Sequence, residues 1–389
     1  MTQLKVMSVF GVRPEAVKMA PVIKELEKYP EVIKSYVTVT GQHKEMLHQI
    51  LDMFEIEVDY DLDIMKQKQT LIDIFERSMR GLDKIFKEVM PDIVLVHGDT
   101  LTSFVAGLTA FYNKIDIGHI EAGLRTYQKY FPYPEEINRQ LTGVLADIHF
   151  APTQNAKINL LKENIDESKI FVTGNTVIDA LDYTVEKDYH FSNKELSKKP
   201  WGDKKIILME VHRRENWGEP IREICKAVKD IIEEYKDAFL VFPVHMNPVV
   251  KDVVYDELEG MERVLLLGPL DTDDFHNIMA LSKFLVSDSG GVQEEAPALG
   301  TPVLVTRDVT ERPEAVSAKT VEIVGTNYNS VYKSIKTLLN NQNKLREMSQ
   351  TINPYGDGLA SRRIVLAIMK KYGVVDTTVE EWDYSNVKL

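Results

Sequence analysis

Short apolar runs alternate with longer amphipathic segments along the chain, and this alternation predicts a parallel α/β fold. The runs are short enough for buried strands, and most are followed by a polar turn that leads into a helical pattern. In the first half, strands are predicted at residues 6–10, 36–40, 92–96, 117–120 and 170–173. A helix is predicted at residues 16–28, and a longer one around Phe75 and Phe86, where apolar residues recur every three or four positions.

The alternation lapses after Tyr183 into a polar stretch that contains Pro200 and Gly202, and then resumes. The second half has predicted strands at residues 206–209, 239–243, 264–268, 284–286 and 302–306, and a last helix at 359–371. We therefore expect two Rossmann-like domains joined by a linker. The predicted divisions are residues 1–183, a linker at 184–203, a second domain at 204–357, and a segment at 358–389 whose helix packs back on the first domain.

Composition narrows the class of protein. The chain has 389 residues, 44% hydrophobic and 28% charged, which is typical of a globular protein with more than one core. A formal net charge of -13 argues against a general partner among nucleic acids or anionic membranes. Its one cysteine, Cys225, excludes an internal disulfide and favours a reducing cytoplasm. No apolar run is long enough for membrane insertion, and the scattered histidines and carboxylates lack metal-ligand spacing, so we expect neither a metal nor a cofactor.

The stretch Ser287–Ala296 is a candidate anion site. It places Ser289, Gly290 and Gly291 at a strand-to-helix turn, where backbone N–H groups approach a ligand closely. A diphosphate fits such a turn, and Glu294 and Glu295 can accept hydrogen bonds from ribose hydroxyls. The alternative is an ordinary glycine-rich turn with a capping serine and solvated glutamates.

A second turn, Gly11–Glu15, follows the first predicted strand and carries Arg13 and Lys18 on either side. These cations can neutralise a phosphate at the carboxyl end of that strand. The alternative is a pair of solvated cations on a helix.

Carboxylates follow later strands of the first half. Asp99 and Glu121 come directly after apolar runs, and Glu135 opens a predicted helix. Because carboxyl ends of parallel strands meet at one edge of a sheet, we expect these groups to reach one crevice, with Arg125 as a possible partner of Glu121. Clustered carboxylates raise at least one pKa, which suits acid–base catalysis. Each carboxylate alone has the alternative role of capping a helix.

In the second half, His212 and Arg213 follow a strand in the same way, so His212 can exchange protons and Arg213 can hold a phosphate. Arg312 reaches the same region from another loop. Phe275 can stack on a base, although aromatic residues more often pack in a core.

Taken together, several sequence blocks resemble the non-hydrolysing UDP-N-acetylglucosamine 2-epimerases over essentially the whole chain. The blocks are residues 11–21, 97–99, 121–125, 134–139, 173–181, 212–216, 287–299 and 307–314. The resemblance implies the GT-B architecture, in which two Rossmann-like domains with parallel sheets face a central cleft, and a homodimer. It also implies reversible inversion at C2 between UDP-N-acetylglucosamine and UDP-N-acetylmannosamine, through elimination of UDP to 2-acetamidoglucal and re-addition. Cell-surface polysaccharide synthesis is the pathway expected to use the product.

The resemblance also implies roles for individual residues, by their match to the family's motifs. The residues that it places against UDP are Arg13, Lys18, Phe275, Ser289, Gly290, Gly291, Glu295 and Arg312. Those that it assigns to chemistry are Asp99, Glu121, Glu135 and His212. Those that match an allosteric site for a second UDP-N-acetylglucosamine are Gln42, Glu136, Arg213 and His245.

The sequence departs from the family's pattern at Leu101, Tyr127 and Glu210, and this leaves the preferred hexosamine open. Glu45 and Lys68 differ from the expected glutamine and arginine around the activator. Two alternatives to the main prediction remain: an epimerase of a UDP-HexNAc modified at C3 or C6, and a GT-B glycosyltransferase that transfers the sugar to an acceptor.

Overall fold

The computed structural model describes residues 3–41, 44–66, 68–202 and 204–384, and these residues fold around two separate parallel sheets. The chain divides into two compact units. The first comprises Met1–Ala180 and Tyr355–Leu389, and the second comprises Leu181–Pro354. The predicted α/β class with two Rossmann-like parallel sheets is confirmed. In the described ranges, no helix combines the length and apolar character needed to cross a bilayer.

The sheet of the first unit has seven strands in the order β3-β2-β1-β4-β5-β6-β7, all parallel. The strands are β1 Leu4–Phe10, β2 Ile33–Val39, β3 Tyr60–Asp61, β4 Ile93–His97, β5 Asp116–Ile120, β6 Ile148–Ala151 and β7 Ile170–Val172. The order changes direction between β1 and β4. Loops that leave these two strands turn to opposite sides, which opens a crevice at their carboxyl ends.

The sheet of the second unit has six parallel strands in the order β10-β9-β8-β11-β12-β13. The strands are β8 Lys205–Glu210, β9 Ala238–Pro243, β10 Val264–Leu267, β11 Phe284–Ser287, β12 Val303–Val305 and β13 Val321–Ile323. Here the order changes direction between β8 and β11, so the same geometric argument places a crevice at the carboxyl ends of these strands.

Helices connect the strands and cover both faces of each sheet, as parallel connections require. The helices are α1 Arg13–Leu26, α2 Lys44–Met53, α3 Leu71–Val89, α4 Leu101–Tyr112, α5 Glu135–Leu145, α6 Gln154–Lys162, α7 Thr176–Thr184, α8 Lys194–Ser197, α9 Glu219–Glu234, α10 Pro248–Leu258, α11 Thr272–Leu281, α12 Val292–Ala298, α13 Pro313–Ser317, α14 Tyr328–Asn340, α15 Gln342–Gln350 and α16 Ala360–Lys371. The predicted long helix around Phe75 is α3. It begins at a Thr70 capping box and buries Leu82 and Phe86.

The segment 184–203, predicted as a linker, makes specific hydrogen bonds within the second unit. The buried Asp274 of α11 accepts hydrogen bonds from the Tyr189 hydroxyl at 3.0 Å and from the Ser192 N–H at 2.9 Å. The hydroxyl of Thr184 lies 2.7 Å from Nδ1 of His276, also on α11. These contacts give this polar stretch defined partners that its composition does not reveal.

The last helix, α16, belongs to the first unit and packs against α1. Ile364 and Ile368 of α16 are fully buried in the same apolar core as Met19 and Ile23 of α1. The N-terminus of α16 has no side-chain cap of its own. Asp179 of α7 instead accepts the N–H groups of Ala360 and Ser361, at 3.2 and 2.7 Å. This buried carboxylate therefore caps α16 from a distant part of the chain.

We predict that Asp179→Ala will destabilise the first unit by about 1 to 2 kcal/mol, because two N–H groups at the start of α16 lose their acceptor. Chemical denaturation followed by circular dichroism measures this loss. Asp182→Ala, an exposed carboxylate on the same helix, is the matched control and should change stability little.

The pH dependence of this effect has a defined sign. Burial raises the pKa of Asp179 from 3.8 to about 6, against the hydrogen bonds from Ser361 and Ala360 that lower it. The folded protein therefore binds this proton more tightly, and the contribution of Asp179 falls as pH rises from about 4 to about 6. The difference between wild type and Asp179→Ala should narrow over that interval. A difference that widened would contradict the assignment.

Candidate functional site

In the first unit, the carboxyl ends of β1, β4 and β5 bring charged side chains together. Glu121 directly follows β5 and has a positive φ of 59°, which is unusual for a residue with a side chain. Its carboxylate forms an ion pair with Lys18 of α1 and accepts a hydrogen bond from the Asn175 side chain at 2.9 Å. The prediction that Arg125 is the partner of Glu121 is wrong. The guanidinium group of Arg125 forms a bidentate pair with Glu163 of α6, in which both hydrogen bonds are 2.7 Å long.

His97, the last residue of β4, lies behind Glu121 with Nε2 4.0 Å from the carboxylate. Burial lowers the pKa of His97 to about 4, more than the attraction of Glu121 raises it. The imidazole is therefore neutral at physiological pH. The sequence pattern predicts no role for His97, although this residue begins the His97-Gly98-Asp99 turn.

Asp99 lies one residue beyond Gly98 and pairs with Arg139 of α5. Asn138 also donates a hydrogen bond to the Asp99 carbonyl at 3.0 Å, so α5 holds the turn after β4 at two points. Glu135 is the first residue of α5 and is partly exposed. Side chains of α5 thus contact Asp99 directly, and Glu135 is related to Asp99 by its position at the start of the same helix.

Glu136, predicted to line an activator site, is completely buried. It accepts the N–H groups of Thr126 and Tyr127 at 3.1 and 3.0 Å and a hydrogen bond from Gln140 at 2.8 Å. Burial opposes ionisation, yet these hydrogen bonds lower the pKa of Glu136. Its carboxylate therefore anchors the loop that carries Tyr127.

A further buried carboxylate, Glu15, connects the loops after β1 and β4. One oxygen accepts the N–H groups of Gly11 and Val12 at 2.8 and 3.1 Å. The other accepts the hydroxyls of Thr100 and Ser103 at 2.5 and 2.9 Å. Burial raises the pKa of Glu15 against these hydrogen bonds. Sequence reasoning missed this role, although Glu15 stands at the capping-box position of α1.

The corresponding connection in the second unit is made by Asp288, which follows β11 and is fully buried. It accepts the N–H groups of His212 at 3.1 Å and Arg213 at 2.9 Å, and the side-chain amide of Asn216 at 2.7 Å. The loop after β8 is therefore attached to the loop after β11. The sequence signal was present, because an aspartate follows a strand at this point, but its partners are more than seventy residues away.

Two guanidinium groups converge on Gly290 at the turn after Asp288. A Cβ built on Gly290 would lie 3.5 Å from Nη2 of Arg213 and 3.5 Å from Cζ and Nη2 of Arg312. Arg213 is oriented by Glu311, at 3.1 Å, and Arg312 by Glu294, at 2.7 Å. The structure thus brings together the predicted anion-binding turn and two arginines, whose guanidinium groups can donate paired hydrogen bonds to the oxygens of an anion.

The two glutamates of α12 have different surroundings. Glu294 is buried against Arg312, so its predicted role as a ribose acceptor is wrong. Glu295 keeps a partly exposed carboxylate, 3.6 Å from Nε2 of His276. Of the two, Glu295 is therefore the one that can accept a hydrogen bond from a ligand.

His212 and His245 lie on neighbouring loops of the second unit with their rings stacked, 5.7 Å apart at an angle of 21°. Burial lowers the pKa of His212, and the attraction of Asp288 opposes this. Phe275 of α11 is partly buried, with its ring 6.4 Å from that of His276.

The remaining predicted residues have simpler positions. Arg13 opens α1 and is partly exposed, as are Ser289 and Gly291 in the turn before α12. Gln42 lies outside the described residues. Lys68 is exposed and has a φ of 56°. In the part of the chain that the structure describes, no group of three or more histidine, cysteine, aspartate or glutamate residues is arranged to hold a metal ion.

Carboxylates at the strand ends of one parallel-sheet unit, and an arginine-lined turn at the strand ends of the other, are features typical of α/β enzymes that act on phosphorylated ligands. The profile of the UDP-N-acetylglucosamine 2-epimerase family matches residues 24–369. The chain is 55% identical over 373 residues to the UDP-N-acetylglucosamine 2-epimerase of Bacillus subtilis, covering 96% of this chain and 97% of that protein.

Solved structures give the same result. The Neisseria meningitidis UDP-GlcNAc 2-epimerase bound to UDP-GlcNAc is 48% identical, with a TM-score of 0.85 over 94% of this chain and 100% of that chain. The Methanocaldococcus jannaschii enzyme in complex with UDP-GlcNAc and UDP is 31% identical, with a TM-score of 0.76 over 94% and 100%. The chain therefore belongs to the UDP-N-acetylglucosamine 2-epimerase family, and the prediction of an isomerase with a GT-B fold is confirmed.

We predict that Gly290→Ala will weaken binding of UDP by about tenfold, because a methyl group there occupies the approach to both guanidinium groups. The contacts at 3.5 Å are ordinary van der Waals distances, so the free energy of unfolding should change little. Isothermal titration calorimetry with UDP measures the affinity. Gly107→Ala in α4 makes the same change where the nearest atoms are 4.0 Å away, and UDP should bind it as it binds wild type.

Proposed function

We propose that this chain interconverts UDP-N-acetylglucosamine and UDP-N-acetylmannosamine by inverting C2 of the sugar. The observation that carries the diphosphate part of the proposal is the convergence of Arg213 and Arg312 on Gly290. A diphosphate offers pairs of oxygens, and a guanidinium group recognises such a pair with two parallel hydrogen bonds. The bound UDP-GlcNAc in the Neisseria meningitidis relative supports the same ligand class.

The mechanism that we propose begins with departure of UDP. The C2 proton has no neighbouring carbonyl and is barely acidic, so a carboxylate cannot simply remove it. As the C1–O bond breaks, positive charge develops at C1, and a carboxylate can then accept the C2 proton. The products are 2-acetamidoglucal and UDP, and the electron pair of the C2–H bond forms the C1–C2 double bond. Protonation of C2 from the opposite face and attack of a phosphate oxygen on C1 complete the inversion.

We assign the proton transfers to the carboxylates Asp99, Glu121 and Glu135. Arg139 beside Asp99 and Lys18 beside Glu121 support this assignment, because each cation holds its carboxylate in place at the strand ends, where the proposed substrate binds. The ammonium group of Lys18, which pairs with Glu121, can also contact a phosphate of the proposed ligand.

The residues that we assign to UDP share polar or flat surfaces suited to phosphate, ribose or base. They are Arg13, Lys18, Phe275, Ser289, Gly290, Gly291, Glu295 and Arg312. His212 is assigned to the departing diphosphate, because it lies after β8 beside the turn that contains Gly290. Stabilising the leaving group lowers the barrier of the slow bond-breaking step.

A second nucleotide site with an activating role is a further part of the proposal. The relative from Methanocaldococcus jannaschii was solved with both UDP-GlcNAc and UDP, which supports more than one nucleotide position in the family. The residues that we assign to it are Gln42, Glu136, Arg213 and His245. Arg213 would then serve both nucleotides, because it also borders the turn at Gly290. Since Glu136 is buried, it would act by holding the Tyr127 loop rather than by contacting the activator.

We also propose that the chain forms a homodimer through α4 and α5. These packed helices leave apolar side chains in solvent: Phe111 is 56% and Tyr112 65% exposed on α4, and Val144 is 76% exposed on α5. Adjacent exposed apolar residues of this size are typical of protein interfaces.

The single buried thiol of Cys225 and a nucleotide-sugar substrate suit an enzyme of the cytoplasm that supplies cell-surface polysaccharide synthesis.

The proposed reaction makes a specific isotopic prediction. Incubation of the protein with UDP-N-acetylglucosamine in deuterated water should place deuterium at C2 while UDP-N-acetylmannosamine accumulates, because the removed proton exchanges with solvent. Proton NMR follows both changes. Free N-acetylmannosamine would indicate hydrolysis. Intact UDP-N-acetylglucosamine without exchange at C2 would contradict the proposal, and it is the result that a glycosyltransferase predicts.

Asp99→Asn tests the carboxylate assignment in the same assay. The amide keeps the size of the side chain but cannot accept the proton, so turnover should fall at least about a hundredfold while UDP affinity stays within about threefold. Asp116→Asn is a matched control on β5 that leaves the proposed machinery intact. Preserved turnover in Asp99→Asn would remove Asp99 from the mechanism.

The dimer proposal predicts that Val144→Glu will give a monomer. A charge buried in an apolar interface costs several kcal/mol, so the mass in light scattering after size exclusion should fall to that of one chain, 44.5 kDa. Ile158→Glu places the same charge on α6, where the side chain is 45% exposed, and should leave the mass unchanged. A monomeric wild type would overturn the proposal.

A further inference from the structure

Glu210 ends β8 beside the anion-binding turn, and the proposed mechanism does not use it. It lies opposite Ser287 in the register of β8 and β11, and the Ser287 hydroxyl donates to its carboxylate at 3.4 Å. The side chain is 24% exposed. Glu210 is therefore held at the edge of the site with a carboxylate that can reach the neighbouring loop.

The closest described acidic contact of His212 Nδ1 is the Glu210 carboxylate, with Oε1 at 3.4 Å. Asp288 is the competing acceptor, at 3.8 Å. Its two oxygens already accept the backbone N–H groups of His212 and Arg213 and the amide of Asn216. Glu210 is therefore the better partner for a proton on Nδ1.

We propose that Glu210 is a positioning residue for His212, holding its ring through Nδ1 so that Nε2 is the nitrogen presented to the departing diphosphate. This inference rests on the proposed function, because it deepens the role given there to His212. A carboxylate on one ring nitrogen fixes which nitrogen carries the proton and stabilises the imidazolium form.

The surrounding charges make the pair suitable for proton transfer near neutral pH. Glu210 faces Asp288 and Glu295, and burial together with these two carboxylates raises the pKa of Glu210 to about 7. For His212, burial lowers the pKa, Asp288 raises it, and His245 and Arg213 lower it. Two neighbouring groups with pKa values displaced towards each other share one exchangeable proton.

The shared proton defines two states of the pair. With the proton present, Nε2 carries a hydrogen and can donate it to a phosphate oxygen as the C1–O bond breaks. With the proton gone, Nδ1–H faces the Glu210 carboxylate and Nε2 accepts. No further group is needed, because the proton returns from the phosphate when UDP adds back.

Long-range proton–nitrogen NMR of the whole protein, labelled with ¹⁵N-histidine, tests the contact directly. The His212 signal is assigned by its loss in His212→Gln. At a pH above the titration of the pair, the wild-type ring should carry its hydrogen on Nδ1. In Glu210→Gln, the titration midpoint of His212 should fall by about one pH unit, because the ring loses the partner with which it shares the exchangeable proton. Glu210→Ala should also lose the preference for Nδ1–H.

Kinetics of the epimerase reaction provide the second readout. Glu210→Gln should lower kcat by about tenfold with KM within about threefold, and the alkaline limb of the kcat profile should move to lower pH by about one unit. Glu219→Gln is the matched control: this glutamate is 69% exposed at the start of α9, and its loss should change neither readout. Circular dichroism confirms that each variant is folded.

The outcomes separate the inference from the proposed function. A wild-type ring with its hydrogen on Nε2 above the titration, or a His212 midpoint unchanged in Glu210→Gln, would overturn the inference whether or not the protein is an epimerase. Absence of epimerisation by wild type would overturn the proposed function, while the NMR titration would still decide whether Glu210 holds His212.

Discussion

A buried carboxylate at the reversal point of each sheet is the interaction on which the sites depend. Glu15 joins the loops after β1 and β4, and Asp288 joins the loops after β8 and β11. Strand order sends the chain to opposite sides at these points, so backbone N–H groups there lack partners from the sheet. A carboxylate accepts several of them at once, and charge-assisted hydrogen bonds hold loops more firmly than neutral ones.

The bracing has a direct consequence for chemistry. Arg213 and His212 follow β8 on a loop whose backbone is fixed by Asp288, and Arg213 is then oriented by Glu311. Glu311 is in turn held by Arg307, whose Nη1 lies 2.5 Å from the Glu311 carboxylate. Burial raises the pKa of Glu311, but the hydrogen bond from Arg307 and the other favourable contacts lower it to about 2. Preorganised donors of this kind need not reorganise as charge develops on a leaving group.

The sequence predicted most of the strands, because buried parallel strands are short, continuous apolar runs, as at residues 284–286. It missed β3, β6 and β13, which are only two to four residues long. It also predicted the turn at Gly290, because the residues that form such a turn at a strand end are consecutive in the sequence. It failed where the partner is distant: Arg125 pairs with Glu163, and Glu294 is taken by Arg312. A single sequence shows that a charge is present, whereas only the fold shows which opposite charge is within 4 Å.

The charges around Gly290 explain why arginine, rather than lysine, suits this turn. Arg213 and Arg312 are each paired with a glutamate, so the local net charge is small and the positive field alone would bind a diphosphate weakly. A guanidinium has donors on more than one edge, and a carboxylate on one edge fixes the plane of the others. The glutamates therefore act as orienting groups, and the affinity of the turn for the proposed diphosphate would come from directed hydrogen bonds more than from net charge. A lysine paired in the same way would have its single charge largely neutralised and would gain no fixed plane. Because a paired arginine keeps directed donors, the acidic residues beside the turn are compatible with an anionic ligand.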